Sequence, residues 1–281
     1  MPDFTRFHRL VAEALAADRL VLPSLPEVAL HVRELTLRDN VTVPLLAAAV
    51  HKDPATAARL IQVANSAAAR GGRHVENVRQ AITRLGLEMT RLLVCGLAVE
   101  QMFKRGSSGM EYRLRYIWEQ SLEVAAGAQA LAAYQGSLNP EMAMLAGLIH
   151  HIGALPILRL AENRPESIRF EADIDDVVDN LGPRIGTMVL RAWHFPAELA
   201  QLPELWPQFS RRHEGPADYV DLIQVALLQS RAGNGYPWNE VERIGVPAYD
   251  KLGVTPTMDI YKLPGYGGAV APTASADSAV A

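Results

Sequence analysis

Two adjacent histidines, His150 and His151, are the residues of this chain best suited to chemistry. They lie in the run Leu148-Ile149-His150-His151-Ile152-Gly153. Imidazole ligates transition metals and moves protons near neutral pH. Neighbours on a helix project about 100° apart, because one turn takes about 3.6 residues. Adjacent histidines on a helix therefore cannot pinch one ion as an i, i+4 pair does. A shared ion needs further ligands from other helices. The alternative is a pair of satisfied polar side chains in a helix-packing seam.

A second candidate is the basic stretch Arg70, Arg73, His74, Arg79, Arg84 and Arg91. Arg84 and Arg91 would share a face of a continuous helix, but Gly86 interrupts it. A phosphate- or nucleotide-binding ridge is one reading. A solvated face paired with Glu76 and Glu88 is the other. Asp173, Asp175 and Asp176 could supply carboxylate ligands, or could instead favour a helix N-terminus and a solvated face. Trp118, Trp193, Trp206 and Trp238 are scattered and read as core. The single cysteine, Cys95, lies in an apolar run and reads as an inert buried thiol; alone it can form no internal disulfide. There is no Walker loop, dinucleotide glycine fingerprint, nucleophile elbow, Cys-x-x-Cys or His-Glu-x-x-His.

Composition bounds the partners. The 281 residues are 49% hydrophobic and 21% charged, which is globular and sufficient for a sizeable core. A net charge of -4 does not suit a general nucleic-acid binder. Met1 to Leu20 shows no basic-then-apolar leader, and no apolar run approaches the roughly 20 residues of a membrane span. The expectation is a cytoplasmic protein without a membrane partner.

The elements that must position these residues read as all helical, with alanine and leucine dominant and strand-like alternation nearly absent. From Phe4 to Leu20, residues Phe7, Leu10, Val11 and Leu15 recur at helical spacing. Pro26 opens a helix with Val28, Val32 and Leu35 on one face. Thr42 is the expected N-cap of a short helix through Val50. Asp53-Pro54 opens one that ends near Asn65-Ser66, before a turn at Gly71-Gly72. A helix over Val78–Leu85 is stopped by Gly86, and another reaches Phe103. Gly106-Ser107-Ser108-Gly109 reads as a linker. Glu111 to Tyr134 reads as one long helix closed by Gly136. Asn139-Pro140 begins the helix that runs to His150-His151 and breaks at Gly153. Helical signals continue over Ile174–Asn180, Arg184–Trp193 and Ala217–Ala232. Pro264 to Ala281 is small, polar and low in complexity, and is expected to be disordered.

An ordered series of short motifs now carries a resemblance. Leu25-Pro26-Glu27-Val28, Asp53-Pro54-Ala55, Ala58-Arg59-Leu60, Ala64-Asn65-Ser66 and Ala81-Ile82-x-Arg84-Leu85-Gly86 resemble the N-terminal signature of HDOD domains. These are bacterial, all-helical relatives of HD phosphohydrolases. Trp118-x-x-Ser121, the Leu145–Gly153 run and Trp193-x-x-Pro196 extend the likeness over roughly Leu20 to Gly233. The resemblance implies an all-α, HD-like multi-helix bundle with an N-terminal helical subdomain. It implies an HDOD domain over 20–235 (an N-terminal part over 20–105 and an HD-like part over 110–235), and the spacing and composition outside it leave an N-terminal helix over 1–19, an extension over 236–263 and a disordered tail over 264–281.

The same resemblance allows an audit of the metal ligands that HD enzymes carry. The histidine before the first-motif serine falls on Gln120. The His-Asp doublet falls on His150 and His151, so its aspartate is missing. A further histidine falls near Gly182, and a late aspartate near Gln229. Metal-assisted phosphate hydrolysis needs an ion held by several ligands with one position open to an activated water. Neutral imidazole cannot offset the cation's charge as a carboxylate does. The expectation is therefore a non-catalytic signal-transduction module without a cofactor or catalytic metal. It would bind a signalling protein partner or a small nucleotide at the degenerate HD cleft, with Arg84, His150 and His151 the residues to test. The competing expectations are a residual metallophosphohydrolase drawing on Asp173, Asp175 or Asp176, and a cyclic dinucleotide sensor. No receiver, cyclase, phosphodiesterase or DNA-binding signature accompanies the core, so output is expected through association.

Overall fold

The computed structural model describes residues 6–17, 19–36, 38, 40–68, 74–104, 109–230, 243–264 and 266. Gly71-Gly72, Arg70, Arg73, Gly106–Ser108, Trp238 and nearly all of the C-terminal tail lie outside the described residues. The described residues form α-helices and short 3-10 turns with no strand. They fall into two compact units, one made of 1–117 and 149–208 and the other of 118–148 and 209–281.

The first unit holds α1 (Arg6–Ala16), α2 (Glu27–Thr36), α3 (Val43–Val50), α4 (Pro54–Ala68), α5 (Val78–Leu85) and α6 (Leu87–Lys104). It takes the first turns of α7 (Glu111–Gln135), then α9 (Ala154–Asn163), α10 (Ala172–Ala192), α11 (Ala197–Ala200) and α12 (Leu202–Leu205). Helices α2 to α6 pack on one another, and α10 gathers α1, α9, α11 and α12 around it. Phe7, Val11 and Leu15 bury the inner face of α1, while Ala29, Val32 and Leu35 do so for α2.

Several motif residues prove to be joints of this unit. Asp53 caps α4: one carboxylate oxygen accepts the Ala55 amide at 3.1 Å and the other the Thr56 hydroxyl at 2.6 Å. The Thr56 hydrogen bond is the main reason its carboxyl group lies below the usual aspartate range. Thr42 stands at the N-cap of α3 but makes no side-chain cap bond. Asn65 bonds Val75 in both directions, at 2.9 and 2.8 Å, and so ties the end of α4 to the approach to α5. Gly86 takes φ +82° between α5 and α6, a conformation in which a side chain is strained.

Helix α10 is one continuous element, although the sequence reads as two segments separated by Gly182-Pro183. Proline inside a helix removes one backbone hydrogen bond. Here buried residues on both sides, Val177, Val178, Ile185 and Val189, hold the helix together across it. It ends on a Schellman turn: the His194 amide bonds Arg191 O and the Phe195 amide bonds Leu190 O, with His194 at φ +59°. Arg33 donates to Ala192 O at 3.5 Å and Arg91 to His194 O at 3.2 Å, so two guanidinium groups sit at the negative end of this helix.

The second unit holds the rest of α7, nearly all of α8 (Pro140–Ile149), α13 (Tyr219–Gln229) and α14 (Pro247–Leu252). Asn139 caps α8 through the Glu141 and Met142 amides. Gly147 lets α8 close on α7, because a Cβ there would lie 2.3 Å from Ala125 Cα. Helix α14 packs on α13. The stretch Pro140–Asn163 is long and apolar enough to cross a membrane, but 89% of its apolar window is buried, and His150–Gly153 interrupts it.

Candidate functional site

The histidine doublet sits where α8 has just ended. Residues His150–Gly153 form a tight turn whose amides bond three residues back: Ile152 to Ile149 O at 3.1 Å and Ala154 to His151 O at 3.0 Å. Glycine is required at its end. A Cβ on Gly153 would lie 2.0 Å from Gly182 O and 2.6 Å from the Gly186 nitrogen. One on Gly186 would lie 2.8 Å from Pro203 Cβ. The turn, α10 and the start of α12 therefore meet with almost no side chain between them.

This placement changes the geometry expected of the pair. On a helix the two rings would diverge, whereas in the turn they stack, with centroids 4.9 Å apart and planes 11° from parallel. Trp206 stands edge-on to both rings, at 5.6 and 5.3 Å, and its indole N–H donates to His150 O at 3.3 Å. His150 and His151 are 1% and 5% exposed. Burial, with His150 alongside as the lesser cause, pushes the His151 pKa well below its ordinary 6.5. His151 is therefore neutral at physiological pH.

The other candidates of this unit are engaged elsewhere. Gly182 contributes its carbonyl to the contact with Gly153, while a Cβ on it would meet nothing closer than 3.9 Å. Asp173 accepts the Arg169 and Phe170 amides, both at 3.1 Å, and so closes the loop before α10. Asp175 pairs with Arg113 at 3.0 Å, and Asp176 accepts from Asn180 at 3.0 Å. These carboxylates support the first turns of α10. Arg84 donates to Ala64 O at 3.4 Å, at the end of α4, on a helix that packs against α3, α4 and α6. Arg91 is buried and pairs with Glu88, as the solvated-face reading anticipated for its partner though not for its burial.

In the second unit, Gln120 lies on α7 with no exposure, and neither amide atom has a hydrogen-bond partner among the described residues. Gln229 ends α13; its Oε1 accepts the Ile260 amide at 3.4 Å and its backbone carbonyl accepts from the Tyr261 hydroxyl. That hydroxyl also bonds Glu123. Gln229 thus joins the C-terminal segment to α13.

One cluster escaped the sequence reading. Among the described residues, His213, Asp218 and Asp221 are a group whose ligand atoms lie within 4.8 Å of one another. Their partners account for them. Asp218 and Asp221 form a reciprocal capping box at the start of α13, and His213 bonds Asp221 at 2.9 Å. Arg211 pairs with both carboxylates. The Asp-x-x-Asp spacing was the available signal, and it marks a helix start.

Fold and turn together define an all-helical protein with a buried, stacked histidine pair in the turn that follows α8. The HDOD domain family model matches residues 22–204, and the chain belongs to that family. No curated protein matches it. A crystal structure from Shewanella amazonensis SB2B, of a protein provisionally assigned as a metal-dependent phosphohydrolase, is 31% identical. The match covers 95% of this chain and 98% of that one, with a TM-score of 0.80. An HDOD domain protein of unknown function from Geobacter sulfurreducens shares the fold at 21% identity and TM-score 0.53, over 80% and 77% of the two chains. A provisionally assigned signal transduction protein from Marinobacter aquaeolei VT8 does so at 24% identity and TM-score 0.52, over 88% of this chain and 60% of that one.

Proposed function

We propose that this chain is a non-catalytic regulatory module of bacterial signalling that binds a protein partner or a small nucleotide at the degenerate HD cleft. The observation that carries the reading is the stacked His150–His151 pair beneath Trp206. Its donor chemistry does not fit a catalytic ion. The carboxylate of the doublet is replaced by a neutral imidazole, and Gly182 offers no side chain. The Asp173 and Asp175 carboxylates already bind backbone amides and Arg113. A hydrolytic ion needs at least three protein ligands and an open position for water, and the doublet offers at most two. Two buried imidazoles against an indole edge supply packing instead. The signalling assignment of the Marinobacter protein agrees with a regulatory role.

The 31% identical Shewanella protein favours a second reading, a residual metallophosphohydrolase. Metal analysis of the purified chain, with a phosphodiester turnover assay, separates the two. The regulatory reading expects metal far below one ion per chain and no turnover above background. Stoichiometric iron, manganese or zinc, with turnover abolished by His150→Ala, would overturn it. Calorimetric titration with cyclic dinucleotides then divides nucleotide sensing from protein partnering.

A further inference from the structure

The first unit contains a cavity remote in chemistry from the histidine turn. It has a volume of about 560 Å³ and lies between the extended segment Arg19–Pro26, the C-terminal part of α6 and one face of α9. That volume falls within the range of about 300–1,000 Å³ typical of small-molecule sites. Its position follows from the chain. Pro23 and Pro26 keep the segment joining α1 to α2 extended. The Trp193 indole pins it by donating to Pro23 O at 3.0 Å. The segment thus bridges over α9 and leaves space beneath it.

The lining is graded. Helix α9 turns Leu155, Pro156, Arg159, Leu160 and Asn163 toward the cavity at helical spacing. Leu155 and Pro156, at its N-terminal end, are buried, as are Leu25 and Met102 opposite. Arg159 and Asn163, one and two turns further on, are exposed, and so is Arg19. Val21 is 85% exposed at the mouth, an apolar side chain in water beside an apolar hollow. Among the described residues that line the cavity there are two arginines and no carboxylate. The cavity thus has an apolar floor and two exposed arginine side chains in its lining.

We propose that this cavity binds a free single-chain amphiphile with an anionic head. The apolar body would lie against Leu25, Met102 and Leu155, and a carboxylate or phosphate head would lie at Arg19 and Arg159. Guanidinium is the side chain best matched to either head, through paired N–H donors. Apolar surface beside a small number of placed charges is the usual composition of a ligand site. The apolar floor disfavours a wholly polar anion.

The test is calorimetric titration of the full chain with decanoate and decyl phosphate below their micellar concentrations and decanol below its solubility limit. The expected result is one anionic ligand per chain, with decanol at least about tenfold weaker, the loss of one charge-assisted contact. Arg19→Glu and Arg159→Glu should each weaken the anions about tenfold or more and leave decanol unchanged. Both positions are exposed, so folding should persist, as thermal melting would verify. Leu160→Trp, which fills the hollow, should weaken all three ligands. Whichever of decanoate and decyl phosphate binds more tightly identifies the head. Equal binding of decanoate and decanol, several ligands per chain, insensitivity to both arginine substitutions, or no binding at all would overturn the proposal.

Discussion

His151 sits in an environment far from its free state, buried against His150 and Trp206. Its pKa lies well below 6.5 in the folded chain, while the unfolded chain titrates at the ordinary value. Below pH 6.5 the unfolded state therefore binds a proton that the folded state refuses. The stability contributed by neutral His151 is complete above pH 6.5 and is lost as pH falls, with a limiting slope of about 1.4 kcal/mol per pH unit. His151→Gln should remove this contribution to the slope. Urea unfolding of both proteins between pH 7 and pH 5 checks it, and parallel curves would contradict it. The same residue shows the reach of residue-level reading. Its type and its importance were visible in the chain, but its stacking on His150 was not.

At the scale of elements, the contact among His150–Gly153, α10 and α12 is made by backbone rather than by side chains. Gly153→Ala would place a methyl group 2.0 Å from Gly182 O, and neither the turn nor α10 can yield by rotating a side chain. Overpacking of this kind costs about 1–3 kcal/mol and sometimes more. A thermal midpoint lowered by several degrees is expected, or loss of soluble protein. Gly182→Ala is the control, since its Cβ meets only ordinary contacts at 3.9 Å. Most helix limits were legible because capping residues and glycines mark them: Asp53, Asn139, Gly86 and Gly136 all fall at element ends. Helix α10 runs unbroken where the sequence predicts two segments, because flanking buried residues override the local stop signal of Gly182-Pro183. Val28 is likewise only half-buried, since Ala29 takes the inward position expected of it.

For the molecule as a whole, the response to acid is a sum of opposing groups in the first unit. Burial first, then Asp175 and Asp176, raises the Asp179 carboxyl group from 3.8 to about 6. As pH falls through 6 toward 3.8, the folded state takes up this proton before the unfolded state does, so stability rises. His151 acts in the other direction over part of that window. Asp53, held below 3.8, adds a loss of stability only under more acidic conditions. Asp179→Asn should raise stability at pH 7 by about 1 kcal/mol, discounted for its partial exposure. It should also make the loss of stability between pH 6.5 and 5 steeper than in the parent. An unchanged profile for the variant would remove Asp179 from this account.

The sequence by itself determined the helical class, the family and most helix boundaries. Each rests on local signals: apolar periodicity, capping carboxylates and amides, glycine stops, and the order of short motifs. It also pointed to His150 and His151, and the family resemblance to Gln120, Gly182 and Gln229. Tertiary structure alone decided what those residues face. The parallel imidazoles, the indole edge of Trp206, the backbone contact of Gly153 with α10 and the engagement of Asp173 and Asp175 depend on residues distant in the chain. Direction and burial of a side chain are set by the elements packed against it, and no spacing along the sequence encodes them. The cavity under Arg19–Pro26 is the clearest case, because its arginines and its leucines come from segments more than a hundred residues apart.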